Sequence, residues 1–195
     1  MKFILGKKIG MSQLFSQNGE LIPVTLISTG PCKILQKKSK VKDGYSALQI
    51  GFEKQSKEKK SAGRGNFKYI KEFLINDEQG YSEGDLIDLS SFKEGDEVTV
   101  SGLSKGKGFQ GGVKRWGMSG APSSHGTKHN KRKIGSIGSS FPQRVIKGRK
   151  MPGRMGKKMI TVKKLKITAL DLEKKIIFIK GAVPGRRGTF LKICS

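Results

Sequence analysis

The sequence predicts a mainly β fold, an antiparallel β-barrel body interrupted by a long, irregular, basic extension. Segments rich in β-branched and aliphatic residues alternate with turn signals such as Asn18-Gly19 and Pro184-Gly185. Residues 98–170 carry 18 Lys plus Arg and no acidic residue. Residues 102–156 contain 13 glycines and show neither the strand nor the helix period.

Short strands account for most of the predicted body. The predicted strands are residues 20–27, 32–36, 45–52, 85–89, 97–101, 160–169, 175–183 and 189–193. Regular short strands of this kind favour a closed or half-closed antiparallel barrel. Residues 66–75 (NFKYIKEFLI) form the one segment that fits a short helix, and a strand is also compatible with it.

The division of the chain follows its charge. Residues 1–100 carry 16 Lys plus Arg and 13 Asp plus Glu, a net of +3, whereas residues 101–195 carry 24 and 2, a net of +22. We therefore assign residues 1–101 and 159–195 to the body and residues 102–158 to the extension. A loop this long inside a compact domain is expected only when it has a function, and its charge suggests one.

A net charge of +25 on 195 residues repels itself and calls for a polyanionic partner, either nucleic acid or an anionic membrane. No segment approaches the roughly 20 apolar residues of a membrane-spanning helix. The basic residues do not line one face of an amphipathic helix. The N-terminal apolar run ends at Gly6 and two lysines and does not resemble a secretory signal. We therefore expect a cytoplasmic protein with a nucleic-acid partner, and no membrane.

The extension cannot bury enough apolar surface to offset its chain entropy, so we expect it to be disordered alone and ordered on RNA. Lysines and arginines would neutralise phosphates, glycines would allow close backbone approach, and aromatic side chains would stack on bases. The predicted RNA-binding residues are Lys105, Lys107, Lys114, Arg115, Trp116, His125, Lys128, His129, Lys131, Arg132, Lys133, Ser136, Arg144, Lys147, Arg149, Lys150, Arg154, Lys157 and Lys158.

The cysteines and histidines do not predict a metal site or a disulfide. Cys32 and Cys194 lie far apart without metal-ligand spacing, and we interpret them as reduced apolar side chains. His125 and His129 have the i, i+4 spacing of a chelating helix, but the segment around them is Gly, Ser and Lys rich and lacks a carboxylate. Phosphate contact or solvent exposure explains them better, and no cofactor is predicted.

The sequence lacks a convincing enzyme signature. Gly106, Gly108 and Gly111 form a GxGxxG pattern, but the next acidic residue is Asp171, far beyond the position of a ribose-binding acid. No catalytic residues or small-molecule substrate are predicted. An RNA-modifying or RNA-processing enzyme with a basic substrate arm is the alternative, and a nucleic-acid chaperone or chromatin-like protein is a third possibility.

Several motifs resemble the bacterial form of the universal large-subunit ribosomal protein three family, end to end. They include ILGKKIGMSQLF, IPVTLISTGPCKILQ, DGYSALQIGF, SKGKGFQGGVKRWGMSGAPSSHGTKHNKRKIGSIGS, KGRKMPGRMG and KGAVPGRRGTFLKI. The resemblance implies a translation-protein-like barrel on the subunit surface near the end of the large ribosomal RNA. It also implies an early role in assembly and contacts with neighbouring ribosomal proteins. The extension would run towards the peptidyl transferase centre, with its tip formed by Ser139, Ser140, Phe141 and Pro142.

The chain departs from the family pattern in two places. Some bacterial members carry a methylated Gln shortly after the GSIG motif, whereas here the first Gln, Gln143, follows Pro142. We therefore do not expect this modification. The Lys-rich run at residues 54–73 is compressed relative to typical members, which leaves its conformation open.

Overall fold

The computed structural model describes residues 2–54, 67–75 and 80–195 of the chain. These residues form twelve strands and two short helices, joined by turns and loops. The strands are β1 (Phe3–Phe15), β2 (Leu21–Thr29), β3 (Cys32–Lys38), β4 (Ala47–Lys54), β5 (Phe67–Leu74), β6 (Leu86–Ile87), β7 (Glu97–Leu103), β8 (Phe109–Gln110), β9 (Gly153–Arg154), β10 (Met159–Asp171), β11 (Ile176–Lys180) and β12 (Phe190–Cys194). The helices are α1 (Lys40–Asp43) and α2 (Gly112–Trp116), and Leu89–Ser91 forms a single 3-10 turn.

Six antiparallel strands close into a barrel in the order β1-β12-β7-β10-β11-β2, and β2 pairs back with β1. The register shifts in β1 and twice in β10, and such bulges increase the local bend and twist of a strand. The closed barrel confirms the predicted mainly β, antiparallel fold.

The barrel interior follows from the period-2 alternation of its strands. Every second residue is buried in three of them, and these residues are Val98 and Val100 in β7, Ile177 and Ile179 in β11, and Leu191 and Ile193 in β12. Ile4 of β1 is the register partner of Ile193 and is also buried. These apolar side chains form one part of the core.

A second sheet, in the order β5-β4-β3-β6, contributes to the same hydrophobic core. The ring of Phe3 stacks on Phe73 with centroids 4.8 Å apart, and Phe190 stacks on Tyr69 at 4.5 Å. Strand β1 is thus buried on both faces near its start. The second sheet beside the closed barrel was not predicted from the sequence.

Two more strands were left open or unpredicted from the sequence. The segment considered as a short helix, residues 66–75, is strand β5 from Phe67 onward, because its aromatic side chains pack against the barrel and the neighbouring strand β4. Strand β1 was not predicted, although it spans 13 residues and pairs with both β2 and β12. Most of the compressed Lys-rich run lies outside the described residues.

The backbone separates into two compact units. We call Met1–Leu103 with Met159–Ser195 the barrel unit, and Ser104–Lys158 the basic unit. Among the described residues, the barrel unit holds the closed barrel, the four-stranded sheet and the whole buried hydrophobic core. The basic unit holds the short β8-β9 ladder and α2.

Candidate nucleic-acid interface

The first and last segments of the basic unit run antiparallel to each other and form a stem. The Ser104 amide donates to the Lys158 carbonyl at 2.9 Å, and the Lys107 amide donates to the Met155 carbonyl at 3.0 Å. The β8-β9 ladder continues this pairing. Gly156 has φ +75°, and a Cβ there would overlap the Lys105 carbonyl oxygen. Glycine is therefore required where the two segments of the stem approach each other closely.

The carbonyl of Met151 ties the two sides together beyond the stem. It accepts a hydrogen bond from Arg115 Nη1 at 2.7 Å and another from Trp116 Nε1 at 2.9 Å. The Arg115 guanidinium lies 4.8 Å from the Trp116 ring centroid, within the range of a cation–π contact. We call this arrangement the Met151 latch. It holds α2 against the returning chain with side chains that the sequence analysis assigned to RNA.

A second cross-connection lies after α2. The Ala121 amide donates to the Lys131 carbonyl at 3.0 Å, and the preceding Gly120 has φ +78°. A Cβ at Gly120 would overlap the same carbonyl, so glycine is needed for this approach. Residues 122–130 therefore form a loop closed at its base.

The distal part of the basic unit includes the predicted tip. Arg149 Nη2 donates to the Ser136 carbonyl at 2.7 Å and so joins the two sides of this part. Phe141 is 85% exposed, and Ile146 is 64% exposed. An aromatic ring this open to solvent offers a flat face for stacking.

The predicted RNA-binding residues all lie in the basic unit. Eighteen of the nineteen are exposed, and only Arg115 is half-buried. The latch engages Arg115 and Trp116 internally, while Arg149 is engaged by Ser136. Of the other predicted residues, Arg132 and Lys133 line one open groove, and Ser136, Arg144 and Lys147 line another together with Arg149. The remaining residues are exposed.

The charge of the basic unit has no internal compensation. Its 55 residues carry 15 Lys plus Arg and no acidic residue, and no ion pair among the described residues involves one of them. A compact surface of this kind attracts polyanions and releases their counterions on binding.

The barrel unit, by contrast, neutralises several of its own carboxylates. Asp96 pairs with Lys2 at 2.6 Å, Glu53 with Lys7 at 2.5 Å, and Glu72 with Lys38 at 2.9 Å. In each pair the hydrogen bond from the lysine lowers the pKa of the carboxyl group below its usual value. These carboxylates are held ionised at neutral pH, as partners of lysines on the same unit.

An open groove in the basic unit combines apolar walls with basic residues. Met118, Ile134 and Pro152 line it together with Arg132 and Lys133. Gly112 forms part of the wall, and a Cβ there would lie 2.6 Å from the Ile134 side chain. Apolar walls beside positive charges suit a nucleotide, whose base has apolar faces and whose phosphate is negative.

The regular structure of this segment was not predicted from the sequence. The segment forms the stem, α2 and the β8-β9 ladder, although its sequence shows neither a strand nor a helix period. Backbone carbonyls and glycines make the contacts that hold these elements, and such contacts leave no side-chain pattern in the sequence. The residues that the sequence analysis missed are Gly120, Met151 and Gly156. A glycine or a carbonyl acceptor carries little sequence signal, apart from the high glycine content itself.

The described residues contain no cluster of three His, Cys, Asp or Glu that could hold a metal ion. His125 and His129 are both exposed. Cys32 and Cys194 are free thiols, buried and half-buried respectively. Within the described chain, no helix is long and apolar enough to cross a membrane.

A closed antiparallel barrel joined to an exposed, acid-free basic unit is typical of a protein that binds a polyanion. The profile of the family described as ribosomal protein L3 matches residues 85–175. The chain is 45% identical over 199 residues to the large ribosomal subunit protein uL3 of Desulfitobacterium hafniense (strain Y51), covering 97% of this chain and 93% of that protein. It is also 45% identical over 196 residues to the protein of the same name from Geobacter sulfurreducens, with 95% and 93% coverage.

A third relative, the large ribosomal subunit protein uL3 of Finegoldia magna, is 45% identical over 197 residues and is covered to 94%. The chain belongs to the ribosomal protein L3 family. It is therefore a structural constituent of the large ribosomal subunit rather than an enzyme. This outcome confirms the predicted family and excludes the alternative of an RNA-modifying or RNA-processing enzyme.

Proposed function

We propose that the chain binds large-subunit ribosomal RNA through its basic unit, and that this binding helps nucleate assembly of the subunit. The observation that carries the proposal is the set of 15 Lys plus Arg without an acidic neighbour, almost all of them exposed. Such a surface needs phosphates to neutralise it. Neighbouring ribosomal proteins would contact the barrel unit, and the whole would act in the cytoplasm.

The stem and the Met151 latch give the proposal a physical basis. They pre-order part of the chain before RNA arrives, which lowers the entropy that binding must overcome. The exposed glycines let phosphates approach the backbone closely. In the groove, Met118 and Ile134 would pack against an unstacked base while Arg132 and Lys133 neutralise its phosphates.

We also propose that residues 139–142 support the peptidyl transferase centre. Ser139, Ser140, Phe141 and Pro142 are all exposed, and the Phe141 ring is almost fully open to solvent. An exposed aromatic ring beside small polar residues can pack into a gap between bases without bringing further charge.

The test uses a shortened chain in which an Asn-Gly turn replaces residues 111–152. This change removes 10 of the 40 Lys plus Arg and leaves the stem in place. The logarithm of the RNA affinity should fall less steeply with the logarithm of salt concentration. If all ten contact phosphates, the slope decreases by roughly 7 to 9. Large subunits reconstituted with the shortened chain should assemble poorly or transfer peptides slowly.

The control is a full-length chain in which Ser139, Ser140 and Pro142 become Ala and Phe141 becomes Leu. This variant keeps every charge, so its salt dependence should equal that of the natural chain while peptidyl transfer decreases. Fully active particles containing the shortened chain would contradict the proposed support of the catalytic centre. If the shortened chain showed the same salt dependence as the natural chain, that result would contradict RNA binding by the basic unit.

A further inference from the structure

A loop of the barrel unit carries two arginines that the proposed function does not use. The loop, residues 183–189, follows β11 and leads into β12. Arg186 and Arg187 are adjacent in it, and both are exposed. In the sequence, this loop stands out only within the family motif KGAVPGRRGTFLKI, and no RNA contact is predicted for it.

Two glycines fix the shape of the 183–189 loop. Gly185 and Gly188 have φ angles of +92° and +79°, a region that side chains disfavour. A Cβ at Gly185 would also overlap the Thr189 side chain. The Thr189 amide donates to the Arg186 carbonyl at 3.1 Å and closes the turn. The two arginines therefore project from a tight turn of defined conformation.

A buried lysine on β1 anchors this turn. Lys8 is 8% exposed, and its ammonium donates to the carbonyls of Val183 at 3.0 Å and Gly185 at 3.4 Å. Its backbone amide donates to the Thr189 carbonyl at 3.0 Å, and its carbonyl accepts from the Gly188 amide at 2.7 Å. An ammonium leaves water only where hydrogen bonds replace its hydration. Lys8 thus ties both ends of the turn to the barrel.

Arg187 is itself positioned by β1. Its Nε donates to the Ile9 carbonyl at 2.8 Å, and its guanidinium lies over Gly10, 3.7 to 4.0 Å from where a Cβ would be. This contact uses one of the five guanidinium N–H groups and leaves four. Within the described part of the chain, neither Arg186 nor Arg187 forms an ion pair.

We propose that the 183–189 loop is a second RNA-binding site, in which Arg186 and Arg187 hold phosphates of the RNA backbone independently of the basic unit. The inference rests on the proposed function, because it assumes that the chain binds ribosomal RNA. A guanidinium offers paired donors that match phosphate oxygens, and a rigid turn limits the entropy lost on binding. Two adjacent arginines without ion pairs, held on a pre-ordered turn, suit the regularly spaced phosphates of an RNA backbone. A single acidic side chain of a protein would engage them less well.

The test measures binding of the full chain to transcribed large-subunit ribosomal RNA at several salt concentrations. Changing both arginines, Arg186→Ala with Arg187→Ala, should reduce the slope of log affinity against log salt by about two. At low salt the affinity should fall about tenfold or more. The matched control, Lys42→Ala with Lys93→Ala, also removes two exposed charges of the barrel unit and should leave the slope nearly unchanged.

Two more variants distinguish the site from a general loss of charge or fold. Arg186→Ala alone removes no hydrogen bond of the described structure and should reduce the slope by about one. Arg186→Lys with Arg187→Lys keeps both charges, so the slope should stay while the affinity decreases, because an ammonium cannot bind phosphate through paired donors. The double alanine change should have the same effect in the shortened chain, since independent sites add.

A slope equal to that of the control would overturn the second site. Unchanged RNA binding together with lost binding to poly-L-glutamate would assign the loop to an acidic protein segment instead. An effect that disappears in the shortened chain would overturn its independence. If the natural chain itself fails to bind the RNA, the proposed function fails, and that result is distinct from all of these.

Discussion

The barrel unit should remain folded when the Asn-Gly turn replaces residues 111–152. Gln110 and Gly153 are direct partners in the β8-β9 ladder, so a two-residue turn can join them without moving the stem. In the described chain, the buried hydrophobic core contains no residue between Val100 and Ile167. The replacement therefore removes no core side chain.

The expected change in the free energy of unfolding follows from loop closure. Shortening a flexible connection from 42 residues to two lowers the free-energy cost of closing it by about 2–3 kcal/mol, which stabilises the folded state. This full gain applies if residues 111–152 are disordered in the free protein. If the Met151 latch and the groove contacts already order them, the change should stay within about 1 kcal/mol. In both cases the barrel unit should not lose stability.

Urea unfolding followed by circular dichroism measures this change, with Ile193→Ala as a control for sensitivity. Ile193 is fully buried inside the barrel, and its truncation should cost about 2–5 kcal/mol. A shortened chain that loses more than about 1 kcal/mol, or that unfolds without a cooperative transition, would refute the reasoning. Such a result would mean that residues 111–152 contribute to the stability of the fold.

Three other outcomes are expected. Trypsin should cleave free protein first within residues 105–158, and ribosomal RNA should protect these sites; early cleavage elsewhere in the described chain would contradict this. Gly156→Ala should loosen the stem by more than Gly108→Ala, since both have positive φ but only the first meets a carbonyl, and amide hydrogen exchange should report the difference. Burial raises the pKa of the Cys32 thiol to about 11 from 9.0. Relative to Cys32→Val, the natural chain should therefore lose on the order of 2 kcal/mol as pH rises from 9 to 11, and equal pH dependence in urea unfolding would exclude this linkage.

The body strands could be predicted because their residues carry a visible period. In β7, buried valines alternate with polar residues, and β12 is rich in aliphatic and aromatic residues. Strand β1 escaped prediction because it is buried on both faces near its start and then continues through Gly6, two lysines and Gly10. Its pattern is therefore neither alternating nor uniformly apolar. The division into two sheets depends on long-range stacking such as Phe3 on Phe73, which local periodicity does not encode.

The charge of the candidate site was predicted from the sequence, whereas the contacts that shape the site were not. The acid-free charge of the basic unit identified the class of partner, because charge is additive and can be counted along a sequence. The Met151 latch depends on a backbone carbonyl, which every residue possesses. The 183–189 loop was overlooked because its two arginines are few beside the basic unit, and because Lys8, which anchors them, is remote in sequence.

The pairing of β1 with β12 has a consequence during synthesis. Strand β1 is held between β2 and β12, and β7 also needs β12 as a neighbour. Until residues 190–194 have left the translating ribosome, one edge of each of these two strands has no partner. Open edges of this kind can pair with other chains. A nascent chain that stalls before residue 190 is therefore an aggregation hazard, because the barrel cannot close without β12.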